Sequence, residues 1–157
     1  MKKALLTLVL CVCATLAANA QGLKRVYDEQ IDPMTQIDDA LVKAKESQRY
    51  VVCQLGGNWC KWCLRFADFI TNDPDIAKMV DDNFVYIHVN LPERNNEALL
   101  QRLGQPSRFG YPALVVLDEE GRVLHIQDSS FLEEGEGYAQ KKVLRFFKNW
   151  TPAAVKR

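Results

Sequence analysis

The sequence is short of the groups that would tie it to nucleic acid, to a metal or to the interior of a membrane. Its 20 lysines and arginines balance 20 aspartates and glutamates. No basic patch stands out, so nothing marks a nucleic-acid partner. It has two histidines, His88 and His125, scattered along the chain. A C-x-x-C zinc site normally takes a second pair of ligands at similar spacing, and no second pair is present. No internal repeat is present either. The main apolar run, Ala4 to Ala18, falls short of the roughly 20 residues that a membrane span needs. At 157 residues the chain is long enough for one domain with a real core and too short for two comfortable ones.

That apolar run carries the marks of an export signal. Lys2 and Lys3 give it a basic start, and Ala18-Asn19-Ala20 supplies a small-x-small cleavage pattern. Residues 1–20 are therefore expected to be a signal peptide, with the mature chain starting at Gln21 in the periplasm or outside the cell. Cys11 and Cys13 would leave with it. A lipid-attachment cysteine wants a small residue before it, and these follow Leu10 and Val12, so a lipid anchor is the minor alternative. Losing Lys2 and Lys3 leaves 18 basic against 20 acidic residues. The three remaining cysteines, Cys53, Cys60 and Cys63, are an odd number for an oxidising compartment, which a plain disulfide scaffold does not explain.

The hydrophobic pattern gives the order of elements. Asp32-Pro33 opens a helix as cap and first residue, and Ile37, Ala40, Leu41 and Ala44 form its apolar stripe. Tyr50 to Leu55 reads as a buried strand that stops at Gly56-Gly57. The period then turns helical, with Cys63, Phe66, Ala67 and Ile70 on one stripe. Asp73-Pro74 opens a short helix, and Phe84 to Val89 is the next strand. A helix from Asn95 to Leu103 stops at Gly104. Strands Ala113 to Leu117 and Arg122 to Ile126 form a hairpin. Asp128 to Gly137 reads as a polar surface loop, and Tyr138 to Trp150 as the last helix. Helix-linked strands followed by a hairpin predict an α/β fold, a mixed sheet with helices on both faces.

The stretch Gln54 to Phe66, QLGGNWCKWCLRF, concentrates the chemistry. Cys60 falls at the first turn of its helix and Cys63 one turn on, facing inward. Unpaired backbone N–H groups and the positive end of the helix dipole favour a thiolate there. Cys60 is thus placed to attack, and Cys63 to resolve the mixed disulfide that results. The competing readings are an inert staple and half of a metal site. The staple closes too small a loop to stabilise much, and the metal reading lacks its other ligands. Cys53 reads as core packing, with a regulatory thiol as the alternative. His88 reads as a packed or element-end histidine, His125 as an exposed hairpin residue, and Glu133, Glu134 and Glu136 as a solubilising loop with docking as the alternative.

GGNWCKWC after a buried strand, then DPDIAKMVDDNFVYIHVN, then RFGYPALVVLDEEGRV, together resemble the thioredoxin superfamily over Asp32 to Trp150. The sequence is most similar to exported members with a W-C-x-W-C core and to the C-terminal domain of DsbD-type interchange proteins. The resemblance implies a thioredoxin-like domain over 32–150, an N-terminal extension over 21–31 and a C-terminal tail over 151–157. It implies that Cys60 is the nucleophile and Cys63 the resolving thiol, joined as a redox disulfide. Trp59 and Trp62 would flank the site and share in substrate binding with Tyr111 and Pro112. Pro112 would be the family's cis-proline, with the backbone of Tyr111 open to an extended substrate peptide. Two positions depart from the family pattern. Gln54 stands where a buried carboxylate is often found, and a glutamine cannot act as a base. Lys61-Trp62 also matches none of the best-known dipeptides between the cysteines.

The expected function is a thiol-disulfide oxidoreductase acting on protein disulfides or dithiols in the reducing direction. It would need no cofactor and no metal, work as a monomer, and draw electrons from a membrane carrier. The alternatives are a thioredoxin-fold binding or chaperone-like module without turnover, and a disulfide oxidant or isomerase.

Overall fold

A computed structural model describes residues 22–94 and 96–157, so the expected signal peptide lies outside the described residues. Helix α1 (Pro33–Ser47) starts where Asp32 accepts a hydrogen bond from the Thr35 backbone N–H, with Pro33 as its first residue. Strand β1 (Tyr50–Gly56) is buried at every position. It leads into α2 (Lys61–Asn72), and Asp73 then caps α3 (Pro74–Asn83). Strand β2 (Phe84–Asn90) follows, then α4 (Glu97–Arg102). A short 3-10 turn over Pro106–Phe109 leads to β3 (Ala113–Leu117) and β4 (Val123–Asp128).

The sheet order is β2-β1-β3-β4, with β1 parallel to β2 and antiparallel to β3. It is the mixed sheet expected. Because β1 lies inside it with both faces covered, its sequence is an apolar run rather than an alternation. Val51, Cys53 and Leu55 face a layer formed by Ile37, Ala40 and Ala44 of α1 and Leu99 of α4. Val52 faces the other layer, with Phe66 and Ile70 of α2, Ile76 and Val80 of α3, and Val143, Phe146 and Phe147 of α5 (Gln140–Asn149). Helices therefore cover both faces.

Three expectations change. Asp128 to Gly137 is not a plain loop: Ser129–Leu132 forms a 3-10 turn with Leu132 in the core, and β5 (Glu133–Glu134) pairs with β6 (Gly137–Tyr138). Tyr138 consequently belongs to that ribbon and not to the last helix. Its ring packs edge-on against Trp62 and Phe66, and Ala139 donates its N–H to the Leu132 carbonyl before α5 begins. His125 is half-buried rather than exposed, stacked on Trp150 at 4.5 Å between ring centroids. A final short helix, α6 (Pro152–Val155), lies in the C-terminal segment. Among the described residues no helix is long and apolar enough to cross a membrane.

Candidate active site

The site forms where β1 hands over to α2. Cys60 is the N-cap of α2, and its Sγ accepts a hydrogen bond from the Cys63 backbone N–H at 3.1 Å. This geometry directs an otherwise unpaired helix N–H at the sulfur, which favours a thiolate when the pair is reduced. Cys60 and Cys63 are joined as a disulfide, with Cα atoms 5.2 Å apart. Cys60 keeps 8% of its surface open and Cys63 none. Lys61 between them is exposed. Gly56 makes room for the inner sulfur, since a Cβ there would fall inside the contact radius of Cys63 Sγ.

The aromatic residues named from sequence gather around the pair. Trp59 is 62% exposed, and its ring meets the edge of Tyr111 at 5.5 Å. Tyr111 packs against the small buried cluster that holds Cys60 and Cys63, and the Tyr111–Pro112 bond leading into β3 is cis. Trp62 is half-buried, held by Tyr138 on one side and by the Arg65 guanidinium 5.0 Å from its ring centre. Beside Trp59 lies a shallow cavity of about 360 Å³ lined by Leu91, Pro92, Glu93 and Asn96. A larger groove of about 710 Å³ lies between β4 and α5 and shares no residue with the dithiol.

Beneath the disulfide is a polar cluster that sequence reasoning missed. Gln54 is fully buried. Its amide nitrogen donates to the Cys63 carbonyl at 2.9 Å and to Tyr27 Oη at 2.6 Å, while its oxygen accepts from the Tyr86 hydroxyl at 2.7 Å. Tyr27 comes from the N-terminal extension and is itself buried. Asn58 fixes it there: Oδ1 accepts from the N–H groups of Val26 and Tyr27, and Nδ2 donates to the Tyr27 carbonyl. Gln54, which departs from the family pattern, and Asn58, a turn former between Gly57 and Trp59, are its signals in the sequence; Tyr27 has none.

Burial raises the hydroxyl pKa of both Tyr27 and Tyr86 above the ordinary tyrosine value, so both stay protonated. His88 packs edge-on against both rings. Burial lowers its pKa to about 4, and its Nε2 has no hydrogen-bond partner among the described residues. Burial pushes the Cys53 thiol up to about 12, so Cys53 is a neutral core residue. Among the described residues no group of three or more His, Cys, Asp or Glu side chains comes together.

A four-stranded mixed sheet covered on both faces, with a disulfide at the N-terminus of the helix after its central strand and a cis-proline beside it, defines a thioredoxin fold. The disulfide is of the kind that disulfide oxidoreductases carry. The chain belongs to the Thioredoxin-like family, which matches residues 32–119. It is 28% identical over 75 residues to the disulfide bond reductase DsbH of Chlamydia pneumoniae, covering 44% of this chain and 45% of that protein. It is 24% identical over 115 residues to the thiol:disulfide interchange protein DsbD of Colwellia psychrerythraea, covering 73% of this chain and 19% of that protein. The chain thus spans less than half the length of either relative. The crystal structure of a disulphide isomerase from Xylella fastidiosa Temecula1 superposes with a TM-score of 0.70 at 25% identity, covering 82% of this chain and 98% of that one.

Proposed function

We propose that this protein is a thiol-disulfide oxidoreductase that passes electrons from Cys60 and Cys63 to disulfides in partner proteins, in the periplasm or outside the cell. The observation that carries this reading is the asymmetry of the pair: Cys60, at a helix N-terminus, keeps a small part of its surface open, and Cys63 is sealed beneath it. Exchange needs that arrangement, with one sulfur within reach of a partner and one reserved for resolution. In the reducing direction the Cys60 thiolate attacks the partner disulfide, whose other sulfur leaves as a thiolate. Cys63 then attacks Cys60 Sγ and expels the second partner thiolate. Trp59 and the Tyr111–Pro112 backbone flank the path of an extended substrate segment. The protein acts as a monomer and is recharged by a membrane electron carrier.

Similarity to a protein named as a disulfide bond reductase supports the reducing direction. Similarity to a structure named as a disulphide isomerase favours isomerisation as the second reading. Two measurements separate them. A reductase should have a Cys60/Cys63 potential near that of thioredoxin, about −270 mV, whereas a value near about −180 mV belongs with isomerases. Cys63→Ala should accumulate mixed disulfides on Cys60, and Cys60→Ser should abolish reduction of a protein disulfide. Full activity in Cys60→Ser would sink both readings and leave a binding module.

A further inference from the structure

We propose that the Tyr27 hydroxyl donates a hydrogen bond to Cys63 Sγ once the disulfide opens, and so raises the thiolate fraction of the resolving cysteine. Tyr27 would act at the place where relatives often bury a carboxylate and this chain has Gln54. The inference rests on the exchange reading above and names a residue that acts within it.

Three observations converge. The Cys63 carbonyl has no proton to give, so the Gln54 side chain must turn its NH2 toward it. The same nitrogen donates to Tyr27 Oη, so Tyr27 is the acceptor in that bond and its own O–H remains free to donate. Among the described residues no oxygen or nitrogen takes that proton. Finally, Tyr27 Oη and Cys63 Sγ border the same small space: a Cβ on Gly56 would touch the sulfur and lie 3.0 Å from the hydroxyl oxygen. Gln54 and Asn58 hold the tyrosine from two sides. Its position is fixed before any chemistry begins.

The step balances without a base in the protein. Cys63 gives its thiol proton to solvent, the thiolate attacks Cys60 Sγ, the bond from Cys60 to the partner breaks, and the departing partner thiolate takes a proton from solvent. Over both steps two electrons and two protons pass from the dithiol to the partner disulfide. Tyr27 keeps its proton throughout, consistent with a pKa raised by burial. The other titratable groups packed around this cluster are Cys60 and Tyr111, Tyr86, whose hydroxyl donates to Gln54, His88 against the rings of Tyr27 and Tyr86, and Tyr138, whose hydroxyl donates to the Trp62 carbonyl. Lys61 of the same helix lies in solvent, and Arg65 sits over Trp62.

The test titrates Cys63 in a Cys60→Ala background, by the pH dependence of the Cys63 13Cβ chemical shift, which follows the thiol's charge without a reagent having to reach the sealed sulfur. That readout needs no partner and distinguishes Cys63 from every other cysteine. Tyr27→Phe keeps the ring and removes the donor. It should raise the Cys63 pKa by about one unit, a roughly tenfold smaller thiolate-to-thiol ratio at fixed pH. Asn58→Ala, which loosens the tether and leaves the hydroxyl, should shift the titration the same way by less, and serves if Tyr27→Phe does not fold. An unchanged Cys63 titration in a folded Tyr27→Phe protein, or in Asn58→Ala where that variant stands in, overturns the proposal. Failure of the exchange reading shows separately, as absent turnover in the wild-type protein.

Discussion

Cys53 and Cys60 sit on either side of one strand-to-helix junction, and their sulfurs have opposite prospects. Cys53 is in the middle of β1, in the apolar layer with Ile37, Val89 and Val115, and burial leaves it a neutral thiol. Cys60 and Cys63 are nearly as well buried, yet a backbone N–H meets the Cys60 sulfur at 3.1 Å. Burial by itself silences a thiol; burial at a helix N-terminus gives it a preferred charge state and a direction of attack.

Three changes sharpen this contrast. The largest effect is expected from acid on the polar cluster beneath the dithiol. His88 has a folded pKa of about 4, lowered by burial from the ordinary value of 6.5. Between those values the unfolded chain binds the proton and the folded one does not. The stability held above pH 6.5 is therefore lost as the pH falls toward 4, by up to about 3 kcal/mol. Urea unfolding at pH 7 and pH 4.5 measures it, and His88→Gln should remove this part of the pH dependence. Next, Gly56→Ala should cost about 2 kcal/mol in thermal or urea unfolding, because the new methyl meets Cys63 Sγ and β1 is paired on both sides. It should also slow exchange. Smallest is Cys53→Ala, which removes one buried sulfur and should cost about 1 kcal/mol. Its exchange rate with a protein disulfide should match wild type. A large rate loss there would erase the distinction between the two kinds of sulfur.

Local signals carried most of the frame. Asp32-Pro33 and Asp73-Pro74 open helices because a cap and its proline act within one turn. Tyr50 to Leu55 was legible as a strand to within one residue. What escaped depends on partners far away in the chain. Tyr138 has the spacing of a helical residue but is claimed by Glu133 in a two-residue ladder and by the rings of α2. His125 is polar and sits on an edge strand, so nothing local foretells its stacking on Trp150. Gln54 was recognised as a departure from the family pattern. Its role required Tyr27, which stands 27 residues earlier in a segment read only as an extension.

The order of strands also has a kinetic consequence. β1 is made before either neighbour, and it pairs with β2 and β3 across 34 residues or more of sequence, as between Tyr50 and Phe84. Closing loops of that length precedes any gain from the ladder, which slows folding. A nascent chain therefore carries seven residues destined for burial with both edges unpaired until β2 has emerged and one edge unpaired until Leu117 has. In that interval the strand that will support the dithiol is the segment most open to adhesion by other chains.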